Sequence, residues 1–316
     1  MTSTLAAPRT KDSFLADVLA GLARPQKRLP SKYFYDAAGS RLFDRITELD
    51  EYYPTRTELA IMRAHSEAMA ARCGSRCLLI ELGAGSLVKV RLLFDRLVRP
   101  AGYVPVDVSG EHLGDAAKAL GADYPKLGVH PVVADFTRPF ELPSVPAARK
   151  VVYFPGSTLG NFDPSEADGL LRRIARLVGR GGGLLLGLDL RKSLAVLEPA
   201  YNDARGVTAA FNRNVLVRIN RELDGDFDPA TFRHRAIYNR ERSRIEMHLI
   251  SSAVQRVRVG DATFAFRAGE SIHTENSYKY DLDDIARRAA DCGLRAEQTW
   301  TDENRYFAVM YFTAAS

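Results

Sequence analysis

The sequence of 316 residues predicts an α/β fold of the Rossmann-like kind, and two observations carry this prediction. From Leu78 onward, apolar runs of strand length alternate with stretches of helix length, which is typical of a parallel sheet with helices on both faces. The first apolar run, LLIELGAG (78–85), ends in an acid and a glycine turn. Folds that bind a nucleoside place such a turn after their first strand.

Each element of this fold has a local signal in the sequence. The apolar runs predict strands at 78–82, 102–107, 129–134, 150–155 and 183–189. The amphipathic stretches predict helices at 12–23, 57–72, 87–98, 110–120 and 164–178. The glycine-rich segment 179–183 ends the last of these helices. An aromatic-rich segment precedes the 57–72 helix and is unlike a linker in composition.

The pattern changes after residue 191. A helical segment at 201–223 precedes alternating residues typical of antiparallel strands, and a helix at 282–292 and a closing hairpin end the chain. A nucleoside-binding sheet that is interrupted by an inserted module and closed by an antiparallel pair is the layout of class I methyltransferases. We therefore expect a methyltransferase core (58–191 and 282–316) and a substrate-binding module (1–57 and 192–281).

The glycine turn favours one class of nucleoside. Asp107 follows Gly83 by 24 residues, at the end of the second predicted strand, where a carboxylate can accept hydrogen bonds from ribose hydroxyls. The turn, GAGSLVK, lacks the third glycine that the pyrophosphate of a dinucleotide requires. S-adenosylmethionine has no phosphates, so the sequence favours it over NAD.

Composition limits the remaining classes. No apolar run reaches the roughly 18 residues of a membrane helix, and the first residues lack the apolar core of a secretory signal. Three cysteines cannot all pair and form no zinc pattern, so we expect reduced thiols, no metal and a cytoplasmic location. The net charge of +5 comes from scattered arginines, which predicts a solvated surface and no nucleic-acid partner.

Nine segments, in order along nearly the whole chain, resemble the histidine Nα-methyltransferases of ergothioneine biosynthesis. These segments are KYFYDAAGSRLFDRIT, EYYPTRTE, ELGAGS, PVDVSGEHL, ADF, FPGSTLGNF, AYNDARGVTAAFNRNVL, RIEMHL and IHTENSYKY. The resemblance implies trimethylation of the α-amino group of L-histidine to hercynine, with S-adenosylmethionine as methyl donor. It also implies a small-molecule acceptor, and we expect a monomer because nothing in the sequence demands an oligomer.

The resemblance assigns five residues to the cofactor: Gly83, Lys89, Asp107, Asp135 and Phe136. Asp135 would accept from the adenine amino group, Phe136 would lie near the ring, and Lys89 would contact the carboxylate of the cofactor. Asp135 and Phe136 follow the third predicted strand, at the sheet edge where ligands of open α/β folds bind.

The resemblance also assigns the acceptor site. Asn161 would hold the backbone end of the amino acid, and Tyr201, on the predicted helix, would donate to its carboxylate. Tyr35 would lie near the reacting amine. The residues expected around the imidazole are Tyr52, Met247, Glu275 and Ser277. Glu275 and Ser277 are alternate residues of a predicted strand and therefore share a face.

The implied reaction is displacement at the sulfonium methyl by a neutral amine, and positioning is the main contribution of the enzyme. Tyr35 and Asn161 would orient the amine, and no general base is assigned. Three other readings remain open: the same fold acting on another amino acid or imidazole compound, a nucleic-acid methyltransferase, and a binding protein without catalysis. The NFDP segment (161–164) lacks the motif of adenine N-methylases, and an NAD-dependent oxidoreductase is disfavoured by the missing glycine.

Overall fold

The computed structural model describes residues 11–85, 87–108 and 110–315, with the side chains of residues 111 and 112 left out. These residues divide into two compact units. The first runs from Pro54 to Arg191 and resumes at Lys279, and the second contains Lys192–Tyr278 and the amino-terminal segment up to Tyr53. Among the described residues no helix is long and apolar enough to span a membrane.

The helices and strands follow in chain order. The helices are α1 (Lys11–Leu22), α2 (Ala37–Thr47), α3 (Tyr53–Cys73), α4 (Val88–Phe94), α5 (Gly110–Asp123), α6 (Pro164–Val178), α7 (Leu194–Leu197), α8 (Val207–Leu223) and α9 (Leu282–Asp291). The strands are β1 (Lys27–Arg28), β2 (Cys77–Leu82), β3 (Gly102–Asp107), β4 (Val132–Val133), β5 (Arg149–Phe154), β6 (Gly183–Asp189), β7 (Phe232–Asn239), β8 (Arg244–Ser251), β9 (Gln255–Val259), β10 (Ala262–Phe266), β11 (Ser271–Tyr278), β12 (Leu294–Thr301) and β13 (Phe307–Ala314).

The first unit contains a seven-stranded sheet in the order β12-β13-β6-β5-β2-β3-β4. Strands β2 to β6 are parallel, and β13 lies antiparallel to both β6 and β12. Every residue of β2 and of β6 is buried, as expected for strands covered on both faces. The predicted α/β fold of class I methyltransferases is confirmed.

The strand order locates the ligand-binding edge of this sheet. From β2 the chain moves outward to β3 and β4, and it then returns to the other side of β2 as β5. Ligands of open α/β sheets bind at such a switch point, outside the carboxyl ends of the strands. The turn after β2 and the loop after β5 both lie at this edge.

The second unit contains a four-stranded sheet in the order β1-β11-β8-β7, and a separate hairpin of β9 and β10. Strands β7, β8 and β11 are antiparallel, and the helix α8 contacts α2, β7 and β8. The buried face of α8 includes Phe211, Val215 and Ile219. This packing of a helix on an antiparallel sheet agrees with the strand pattern predicted after residue 223.

Three predicted elements differ from the structure. The strand expected at 129–134 is reduced to Val132–Val133, because Pro131 has no N–H to contribute to a ladder. The helix expected at 87–98 ends at Phe94 and continues as a turn. The helix expected from residue 201 begins only at Val207, so Tyr201 lies in a separate 3-10 helix, Pro199–Tyr201. Asp203 explains the later start, since its carboxylate accepts from the N–H groups of Val207 and Thr208, both at 2.8 Å.

Candidate functional site

The glycine turn after β2 is tied to the end of β3. Gly83 has a φ of +75°, which favours glycine, and its N–H donates to the carbonyl of Val106 at 2.9 Å. The N–H of Ala84 donates to the same carbonyl at 3.2 Å. Asp107 is the next residue, so the turn and the carboxylate expected at the ribose are held side by side by backbone hydrogen bonds.

Phe136 lies beside the same turn. A Cβ built on Gly83 would approach its Cε1 atom to 3.8 Å, so the ring covers the glycine. Its ring also contacts Phe154 and Phe162 edge-on, with centroids at 5.5 and 6.3 Å. Asp135, the preceding residue, accepts from the backbone N–H and the hydroxyl of Thr137, which orients its carboxylate. Asp135 is therefore the acceptor of a local turn rather than the cap of a helix.

Lys89 forms an ion pair with the carboxylate of Glu58, which is fully buried in the second turn of α3. The side chain of Lys89 is 15% exposed. Lys89 is the second residue of α4 and thus follows the glycine turn directly. The structure places its ammonium at the carboxyl edge of the sheet, but it adds a partner that the sequence did not indicate.

Asn161 ends a tightly held loop after β5. Gly156 and Ser157 both have positive φ, of +73° and +57°, and the 3-10 helix Thr158–Asn161 follows. A left-handed conformation is uncommon for serine, and the hydroxyl of Ser157 is fixed because it accepts from the N–H of Asp189 at 2.9 Å. The half-buried amide of Asn161 is thus presented by a loop with a defined path.

In the second unit, Tyr201 and Ser277 form a buried hydrogen bond of 2.8 Å between their hydroxyls. Glu275 lies two residues before Ser277 on β11 and is opposite Met247 of β8. Because directly opposed residues of an antiparallel pair share a face, Met247, Glu275 and Ser277 lie on one side of the sheet. Sequence reasoning predicted these four residues together, and the structure brings them together.

A β-bulge sets the direction of Glu275. The register of β11 against β8 shifts between His273 and Glu275, so Thr274 is the additional residue. The hydroxyl of Thr274 donates to Asn212 at 2.7 Å and contacts the carbonyl of Met247 at 3.1 Å. These contacts hold the bulge, and they place Glu275 in register with Met247.

The two remaining tyrosines join this group through a row of edge-on aromatic contacts. Tyr35 contacts Phe43 with centroids 5.7 Å apart, Phe43 contacts Tyr52 at 6.2 Å, and Tyr52 contacts Tyr201 at 6.2 Å. Interplanar angles of 70–79° are the favoured edge-to-face geometry. The second unit therefore gathers all six of its predicted site residues.

The backbone of Tyr201 is held by a half-buried histidine. His234 Nε2 lies 2.8 Å from the carbonyl of Tyr201, and its Nδ1 lies 2.9 Å from the amide nitrogen of Asn212. An amide NH2 can only donate, so Nδ1 accepts and Nε2 carries the proton. Burial lowers the pKa of His234 and keeps the ring in this neutral form.

One carboxyl near the glycine turn has a strongly altered affinity for its proton. Glu81, in β2, is 1% exposed and accepts a hydrogen bond from the hydroxyl of Tyr103. Burial raises the pKa of Glu81 to about 8, while Tyr103 and Lys89 oppose this rise. Glu81 is thus mostly neutral at pH 7.

A cluster of possible metal ligands lies on the opposite face of β8 and β11. Ligand atoms of Glu246, His248 and His273 are all within 4.8 Å of one another. Arg244 already donates to Glu246 through Nε at 2.8 Å and Nη2 at 2.6 Å, which supplies the positive charge that a metal would bring. The two imidazoles stack on each other with centroids 4.8 Å apart and an interplanar angle of 19°. The cluster offers no argument for a metal, and the predicted lack of one stays a prediction.

Sequence reasoning missed Glu58, Asn212 and His234. Glu58 is the last residue of the EYYPTRTE segment, and an acid among the apolar positions of a long helix was its available signal. Asn212 and His234 act on Tyr201 and Thr274 from other elements, and no local pattern marks them.

Comparison with known proteins is consistent across the whole chain. A family model described as "Histidine-specific methyltransferase, SAM-dependent" matches residues 14–314. The chain is 43% identical over 309 residues to the histidine N-alpha-methyltransferase of Mycolicibacterium smegmatis, covering 96% of this chain and 95% of that protein. It is 44% identical over 293 residues to the protein of the same name from Mycobacterium tuberculosis, covering 91% and 90%.

A fungal relative extends the comparison. Ergothioneine biosynthesis protein 1 of Neurospora crassa is 28% identical over 311 residues. The match covers 91% of this chain and 34% of that longer protein.

Proposed function

Because this chain belongs to the family of histidine-specific, S-adenosylmethionine-dependent methyltransferases, we propose that it methylates the α-amino group of L-histidine. The resemblance found from nine sequence segments is confirmed. Three methyl transfers would convert histidine to hercynine, and this conversion would be the first step of ergothioneine biosynthesis. The observation that carries the proposal is the buried Tyr201–Ser277 pair on the face that also holds Glu275 and Met247.

The first unit fits the methyl donor. Gly83 leaves the turn free of a side chain, Asp107 stands beside it for the ribose, and Phe136 covers it for the adenine. Asp135 would accept from the adenine amino group, and Lys89 would pair with the carboxylate of the methionine part. When bound, S-adenosylmethionine supplies an electrophilic methyl group on a sulfonium.

The second unit fits the imidazole end of the acceptor. An imidazole has two ring nitrogens, and Glu275 and Ser277 offer two polar groups on one face. Tyr52 and Met247 would pack on the ring, and Tyr201 would donate to the carboxylate of the amino acid. A polar pair of this kind disfavours apolar amino acids, because their side chains cannot make the hydrogen bonds that the two imidazole nitrogens would make.

The chain contributes positioning to the reaction. Tyr35 and Asn161 would bind the neutral amine and aim its lone pair, so that the new C–N bond forms as the methyl–sulfur bond breaks and its electrons remain on sulfur. Each transfer leaves a charged amine, and one proton passes to water before the next. Neighbouring tyrosine rings stabilise the cationic product through cation–π attraction.

The remaining features of the proposal follow from this chemistry. We propose a cytoplasmic monomer that acts on free histidine, without a metal and without a nucleic-acid partner. A sulfonium leaving group needs no Lewis acid, and the three cysteines are free, buried thiols in the described part of the chain.

Mass spectrometry of the product tests the proposal. Purified protein, S-adenosylmethionine and all twenty amino acids should give histidine with three added methyl groups and leave the others unchanged. Glu275→Ala should lose the preference for histidine, while Glu67→Gln, an exposed change on α3, should behave like the wild type. Methylation of another amino acid would overturn the imidazole assignment, and lack of any transfer despite cofactor binding would overturn the proposed reaction.

A further inference from the structure

Glu58 is a buried carboxylate with three structural neighbours. Its side chain is 0% exposed, and both of its oxygens lie 3.1 Å from the N–H of Gly156. One oxygen also pairs with the ammonium of Lys89. A Cβ on Gly187 would lie 2.3 Å from Oε1, so this glycine of β6 leaves the space that the carboxylate occupies.

Stability of the fold alone does not explain why the carboxylate of Glu58 is buried. A carboxylate without water is costly unless a counter-charge and hydrogen bonds compensate it, and an apolar side chain fills such a position at lower cost. Here Lys89 supplies the charge and Gly156 supplies the hydrogen bond. Lys89 lies in the first turn of α4 and Gly156 lies in the loop after β5, and both segments are at the switch point of the sheet.

The partners connect two parts of the cofactor site. Lys89 opens the helix after the glycine turn, and Gly156 opens the loop that ends at Asn161. These segments follow β2 and β5, which are neighbouring parallel strands. Gly156 also lies close to the ammonium, since a Cβ there would approach Lys89 Nζ to 3.8 Å. The carboxylate of Glu58 on α3 therefore sets the distance between these two segments.

We propose that Glu58 is a positioning residue for the methyl donor, which holds the ammonium of Lys89 and the 155–161 loop in the arrangement that receives the carboxylate of S-adenosylmethionine. This inference rests on the proposed function and adds a residue to its cofactor site. Glu58 acts through Lys89 and does not touch the cofactor itself, because its side chain has no exposed surface.

A double-mutant cycle tests this coupling with S-adenosylhomocysteine as the titrated ligand. Calorimetry is performed on the wild type, Glu58→Gln, Lys89→Met and the double variant. Glu58→Gln should weaken binding about tenfold, since one charge-assisted contact of the ammonium is lost. In the Lys89→Met background, Glu58→Gln should change the dissociation constant of S-adenosylhomocysteine by less than about twofold. The KM for histidine should change less than the dissociation constant of the ligand.

Controls separate the possible outcomes. Glu67→Gln, on the same helix but exposed, should bind like the wild type. If Glu58→Gln does not fold, the same cycle with Glu58→Asp, which keeps the charge but shortens its reach, should show the same coupling. An equal loss in both backgrounds, or unchanged binding in Glu58→Gln, would overturn the inference. If the wild type itself bound no ligand, the proposed function would fail instead.

Discussion

Replacement of Glu81 by glutamine should remove a pH dependence of stability that the first unit carries. The carboxyl of Glu81 is buried in β2, two residues before the glycine turn begins, and the hydroxyl of Tyr103 donates to it. Burial raises its pKa from 4.5 to about 8. The folded protein therefore holds the proton more tightly than the unfolded chain does.

The magnitude follows from the two pKa values. A difference of about 3.5 between them corresponds to about 5 kcal/mol of unfolding free energy. Since the folded pKa is the higher one, this contribution is fully present below pH 4.5 and is lost as the pH rises through about 8. Glutamine has the shape of the neutral acid and cannot ionise. The variant should therefore keep this contribution to the unfolding free energy as the pH rises.

Urea unfolding followed by fluorescence gives the measurement. The protein has one tryptophan, Trp300, which is 5% exposed in the core of the first unit. The unfolding free energy of the wild type minus that of Glu81→Gln should fall by about 4 kcal/mol between pH 4.5 and pH 8, where most of the titration takes place. Contributions of other groups cancel in this difference. Parallel profiles for the two proteins would refute the argument that Glu81 is neutral in the folded state.

Two further predictions concern the second unit. Burial lowers the pKa of His273 from 6.5 to about 4, so the unfolded chain binds the proton first and stability falls as the pH drops from 6.5 towards 4. His273→Gln should reduce this loss in acid unfolding curves, and an unchanged acid limb would contradict the assignment. Ser277→Ala should raise the KM for histidine about tenfold, because the hydroxyl of Tyr201 loses its buried partner, and Tyr201→Phe should act in the same direction. Steady-state kinetics measures both, and a fall in kcat alone would contradict a binding role.

Local patterns in the sequence determined the core of the fold. These patterns are the strand-length apolar runs, the glycine turn after Leu82 and the spacing from that turn to Asp107. Each involves residues that are close in sequence, and the structure shows the corresponding strands in the predicted alternation. The predicted bounds were less accurate where a single residue ends or delays the element that the surrounding pattern predicts. Pro131 shortens a strand, and the capping carboxylate of Asp203 delays a helix and leaves Tyr201 outside it.

The grouping of the candidate site was decided by tertiary structure. Tyr201 and Ser277 are 76 residues apart, and Glu58 is 31 residues from Lys89 and 98 from Gly156. The sequence indicated the types of side chain, and resemblance to a family indicated which of them act. Which buried groups pair depends on strand register, on the bulge at Thr274 and on which loops meet at one sheet edge. Those relations are set by packing between distant segments, and for that reason the partner of Lys89 became visible only in the folded chain.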